Sequence, residues 1–138
     1  MRLIAGSAYG EVSPVMTLSK LFYLDVTMSA GNRFKLPSEY EDRALYPLDS
    51  AVMANGVECQ PKCLAVLRSG DEVEIATDKG TRLMILGGDP LQGARFLWWN
   101  LVSSSKERIE IAKRDWANGR FPKVPGDEHE FIPLPKDL

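Results

Sequence analysis

The side chains in this sequence that could do chemistry are few and scattered. The single histidine, His129, sits in GDEHEF, residues 126–131, flanked by Asp127, Glu128 and Glu130. An imidazole among carboxylates can catch a cation from solution, but a solvated acidic tail is the simpler reading. Cys59 and Cys63 are spaced C-x3-C, with no second pair and no neighbouring histidine, so they are expected as reduced thiols that pack as small hydrophobes or point apart. Ser103, Ser104 and Ser105 have no histidine within reach to activate them; helix capping explains them. The densest polar group is Glu39, Glu41, Asp42 and Arg43, with Tyr40 and Tyr46 beside it. One reading is a small-molecule pocket in which Arg43 clamps an anion and Glu39 and Tyr46 line the wall; the other is a surface ion-pair cluster.

The elements that must carry these residues are mostly short strands. Leu21–Met28 alternates Phe22, Leu24, Val26 and Met28 with Tyr23, Asp25 and Thr27, the pattern of a half-buried strand. Further strands are expected at Met1–Ala5, Arg33–Leu36, Ala44–Leu48, Ala51–Met53, Val57–Cys59, Cys63–Leu67, Glu72–Thr77 and Arg82–Leu86, with Gly6–Pro14 a loop. Asn55-Gly56 is a hairpin signal, because both residues tolerate the positive φ of a type I′ turn. Pro47 removes a ladder donor, so its strand is expected at an edge or bulged. Strands at this spacing with no helix between them argue for an antiparallel barrel or jelly roll.

The stretch from Phe96 to Pro125 differs. Phe96–Val102 reads as one buried strand, which would put Trp98 and Trp99 on opposite faces. One helix follows, from about Ser105 to Asn118, with Ser104 and Glu107 placed as a capping box and Gly119 as the left-handed terminator. Ile109, Ala112 and Trp116 share a face, and Glu110 with Arg114 can pair on another. Phe121, Pro122, Val124 and Pro125 continue as a stiff, extended tail.

At 138 residues, with 44% hydrophobic and 26% charged residues, one domain spanning 1–138 is expected, with the barrel over about 1–102 and helix and tail over 103–138. A net charge of −2 argues against nonspecific nucleic-acid binding. The apolar runs are too short to span a membrane, and MRLIAGSAYG lacks a signal-peptide core, so a cytoplasmic location is expected.

The runs WWNLVSSSKERIEIAKRDW, GRFPKVPGDE, FIPLP, AGSAYGEVSPV, LFYLDV and RLMILGGDPL together resemble the C-terminal domain of the pirin family, over about Arg2 to Pro135. The resemblance implies a cupin barrel, the second of two, the first being the one that carries iron. A metal-binding cupin sets His-x-His and then a glutamate after a glycine, and a further histidine after Pro-x-Gly. Counting from Gly31 and from Pro61 places Pro37, Glu39, Arg43 and Val66 at those four ligand positions. No metal or other cofactor is therefore expected, and flavonol dioxygenase activity is not expected of these residues. The resemblance implies a non-catalytic binding or assembly module, either a homodimer or the partner of a separate iron-bearing cupin barrel. Ile109, Trp116, Phe121 and Phe131 are the candidate contact surface. A metal-free small-molecule pocket near Glu39 and Arg43, and transcriptional co-regulation by family analogy, are the alternatives.

Overall fold

The alternation of Leu21–Met28 organises the first part of the computed structural model, which describes residues 1–135. Its strands are β1 (Arg2–Ala8), β2 (Glu11–Val12), β3 (Leu21–Met28), β4 (Arg33–Lys35), β5 (Asp42–Pro47), β6 (Val52–Ala54), β7 (Val57–Cys59), β8 (Ala65–Leu67), β9 (Glu74–Ala76) and β10 (Thr81–Gly88). β3 pairs along its whole length with β10, and a six-stranded antiparallel sheet runs in the order β2-β1-β3-β10-β5-β8. A four-stranded antiparallel sheet has the order β4-β9-β6-β7. Phe22, Leu24, Leu45, Leu83 and Ile85 from the first sheet join Val52, Ala54, Cys59 and Ile75 from the second in one apolar cluster. The two sheets thus pack face to face around a single core, each large aliphatic contributing about 1.5–3 kcal/mol by its burial.

Two turns were encoded differently. Asn55 and Gly56 take φ of 47° and 80°, as the hairpin signal requires. The Asn55 side chain also donates to the Glu72 carbonyl and accepts from the Glu74 N–H. The expected loop at Gly6–Pro14 is instead the continuation of β1, a turn at Tyr9-Gly10 with φ of 55° and 81°, and the short β2. Tyrosine is an unusual residue for that turn position, which is why the sequence hides it.

β5 lies between β10 and β8, neither edge nor bulge. The Leu48 N–H donates to the Arg82 carbonyl, so the nitrogen of Pro47 faces away from β10, and β8 has already stopped opposite Leu45. The proline therefore removes no ladder bond.

The described residues divide after Pro90, not at residue 102. Beyond that point Phe96–Val102 is not one strand. β11 (Phe96–Trp98) turns at Trp99-Asn100 into β12 (Leu101–Ser103), with Trp99 at φ 49°. Helix α1 (Lys106–Ala117) follows, capped by Ser105 rather than Ser104. The Ser105 hydroxyl accepts from the Arg108 N–H and donates to the Glu107 carboxylate, and that bond holds the Glu107 carboxyl below its ordinary range. Glu110 pairs with Lys113 at 2.9 Å rather than with Arg114. At the other end Gly119 (φ 64°) donates to the Trp116 carbonyl and Arg120 to that of Asp115, the two bonds of a Schellman motif. No helix among the described residues is long and apolar enough to cross a membrane.

Candidate functional site

Arg43 decides what the barrel end can do. Strand alternation turns it to the side of Leu45 and Pro47, and it is 2% exposed. Nη1 donates to the Pro37 carbonyl at 3.3 Å, and Nη2 to those of Arg68 (3.3 Å) and Asp71 (2.6 Å). Nε has no partner among the described residues. Gly87, its cross-strand neighbour on β10, makes the room: a Cβ there would come within 2.4 Å of the Phe22 ring and 3.0 Å of the Arg43 Cγ. The guanidinium is a fixed internal cation that ties two loops to β5. It is not a clamp open to an anion, which corrects that expectation: its bonded donors end on backbone carbonyls.

The other pocket candidates do not converge on it. Tyr46 lies three residues along β5 and so faces the opposite side of the sheet, half-buried. Glu39 is exposed; its carbonyl accepts from Lys20 Nζ at 3.1 Å. Partial burial, and then the Glu39 carboxylate, push the Tyr9 phenol up to about 12, while its hydroxyl donates to the Lys35 carbonyl. Of the cysteines, Cys59 is buried with its thiol pushed up by that burial, whereas Cys63 is exposed.

The candidate contact residues also separate. Ile109 is 6% exposed, so it is packed inside the chain and not free for a partner. Trp116 is the hub of an aromatic cluster: Trp99 lies edge-on at 5.1 Å, Phe121 at 5.3 Å and Phe131 at 6.3 Å. Phe121 and Phe131 remain on the surface. A further exposed surface is the arm that starts at the end of β2 and runs from Val12 to Leu18, where Val12, Met16 and Leu18 are 78%, 87% and 101% exposed. Its signal is an apolar run without alternation, Val-x-x-Val-Met-x-Leu, which no single strand could bury.

The family profile of the pirin C-terminal cupin domain matches residues 23–122. The chain belongs to the pirin family. A pirin-like protein of Caulobacter vibrioides is 45% identical over 136 residues, covering 98% of this chain and 46% of the relative. Two crystal structures of quercetin 2,3-dioxygenase from Acinetobacter baumannii superpose with TM-scores of 0.85 and 0.79, at 26% and 25% identity. They cover 96% and 89% of this chain, but only 46% and 44% of theirs. This pirin chain thus spans about half the length of the relatives it matches.

Iron is the metal the family implies, and the residues of this barrel do not fit it. The four ligand positions hold Pro37, Glu39, Arg43 and Val66, and the second and fourth are exposed. Of the two buried positions, Pro37 offers no donor side chain and Arg43 is itself a cation held by carbonyls, whose charge would repel a metal ion. Among the described residues no three His, Cys, Asp or Glu side chains gather closely enough to hold one.

Proposed function

We propose that this chain is a non-catalytic barrel of a pirin, serving to dock against a metal-bearing cupin barrel. The observation that carries the reading is Arg43, buried and committed to three carbonyls where a metal-binding cupin would carry a ligand. Support for docking comes from the arm at Val12–Leu18, where Val12, Met16 and Leu18 are largely exposed apolar side chains that a partner would cover. The occupant is argued from length: relatives twice as long contain room for a second barrel of this size. Oxygenase chemistry of the kind named for the Acinetobacter proteins would then reside outside the residues described here. Self-pairing of the same arm in a homodimer is the competing outcome.

The test is iron content and quercetin turnover of the purified chain after incubation with ferrous iron, with mass in solution followed by light scattering. Substoichiometric iron and no turnover are expected, with assembly only when a metal-bearing pirin barrel is added. Stoichiometric iron or turnover by the chain alone would overturn the non-catalytic reading. A dimer that persists on dilution would replace the partner barrel with a second copy.

A further inference from the structure

The tail beyond α1 turns back and closes a groove. Gly126 (φ 84°) makes a turn in which the Asp127 N–H donates to the Val124 carbonyl. The Trp116 indole N–H then donates to the Ile132 carbonyl at 2.8 Å and pins the returning chain beside the end of the helix. Between them lies a groove of about 720 Å³, lined by residues within 116–132. That volume is typical of small-molecule sites.

Its wall and its rim favour the same kind of charge. Trp116, Phe121 and Phe131 form the wall, the Trp116 and Phe131 rings within 28° of parallel. Phe121 and Phe131 are 41% and 58% exposed, a poor outcome for apolar rings that serve only to pack. Asp127, Glu128 and Glu130 stand around the groove, against one lysine or arginine among the described residues that line it, Lys123, whose Nζ donates to the Glu128 carbonyl oxygen. Aromatic faces carry negative potential and the carboxylates add to it, so positive charge is attracted and anions are repelled.

We propose that this groove binds a small organic cation, an ammonium or guanidinium group on an aromatic or alkyl body. The body lies on the rings of Phe121 and Phe131, and the charged head sits between the Trp116 face and the carboxylates. The groove residues all follow Pro90, whereas Arg43 and the Val12–Leu18 arm precede it, so ligand titration decides this proposal and iron content and assembly decide the docking reading.

The experiment titrates the full chain with benzyltrimethylammonium, benzyl alcohol and phenylacetate, following binding by calorimetry and the Trp116 indole N–H by NMR. Saturable one-to-one binding of the cation is expected, with the indole signal moving and both other probes at least about ten-fold weaker. Phe131→Ala, at an exposed position, should weaken the cation by about two- to five-fold with an unchanged circular dichroism spectrum. Glu128→Gln with Glu130→Gln should weaken it further and flatten its salt dependence. Equal affinity for the three probes, no saturable shift of the Trp116 signal at roughly 10 mM cation, or indifference to both sets of variants would overturn the proposal.

Discussion

Exchange of Arg43 for methionine keeps an unbranched apolar stem and removes the guanidinium. Three carbonyls lose a charge-assisted hydrogen bond, each contributing about 1.5–3 kcal/mol, so about 6 kcal/mol is at stake. Two effects oppose that loss. Burying the charge itself costs several kcal/mol, which methionine avoids. Arg68 and Asp71 are also exposed, so their carbonyls can turn to water, whereas that of the buried Pro37 stays stranded at about 1–3 kcal/mol. The net expectation is a loss of about 3 kcal/mol. Urea denaturation followed by far-ultraviolet circular dichroism should show a lower midpoint with an unchanged slope. Arg43→Lys should be at least as damaging, since a shorter ammonium buries a full charge with fewer carbonyls in reach. A loss below about 1 kcal/mol for methionine, or a lysine variant as stable as the parent, would refute the view of Arg43 as the internal tie.

Arg82 donates Nε and Nη2 to the two oxygens of Asp25, at 2.8 Å each, and those bonds hold the Asp25 carboxyl below its ordinary range. A folded-state value below the unfolded one gives stability that is full above the unfolded value and lost as pH falls through the folded one. Asp25→Asn should therefore flatten the decline in urea midpoint below about pH 4, and an unaltered decline would count against the pairing. Gly6 has φ 76°, and a Cβ there would lie 1.8 Å from the Leu21 carbonyl oxygen, whereas one at Gly10 (φ 81°) would meet nothing within 4 Å. Gly6→Ala should cost more than about 3 kcal/mol or abolish cooperative unfolding, and Gly10→Ala only about 1 kcal/mol, in thermal melts of the two variants.

Where local chemistry and tertiary packing agree, the sequence was legible. Leu21–Met28 is a strand at the expected residues, and Asn55-Gly56 turns as its side chains demand. The helix lies within a residue of its expected ends, because serine and glycine caps mark both. Trp99 and Tyr9 escaped, since bulky aromatics at positive φ are held there by their surroundings and not by preference. The exposed apolar arm at Val12–Leu18 has a sequence signal only in its missing alternation. Arg43 was misplaced for another reason: its charge suggested the surface, although Arg43-x-Leu45-x-Pro47 already put it in phase with inward residues. What no sequence pattern could supply was the ring of carbonyls, which comes from loops at Pro37, Arg68 and Asp71, up to 28 residues away.

The distribution of aromatic residues has an optical consequence. Trp98, Trp99 and Trp116, all the tryptophans of the chain, fall after Pro90, and its four tyrosines, Tyr9, Tyr23, Tyr40 and Tyr46, fall before it. Indole emission excited at its red edge reports only on the hairpin, helix and tail, while tyrosine absorbance fine structure reports only on the two-sheet barrel. One sample thus yields two melting curves without any label, and their coincidence or separation reads out how far the two units share a single cooperative transition.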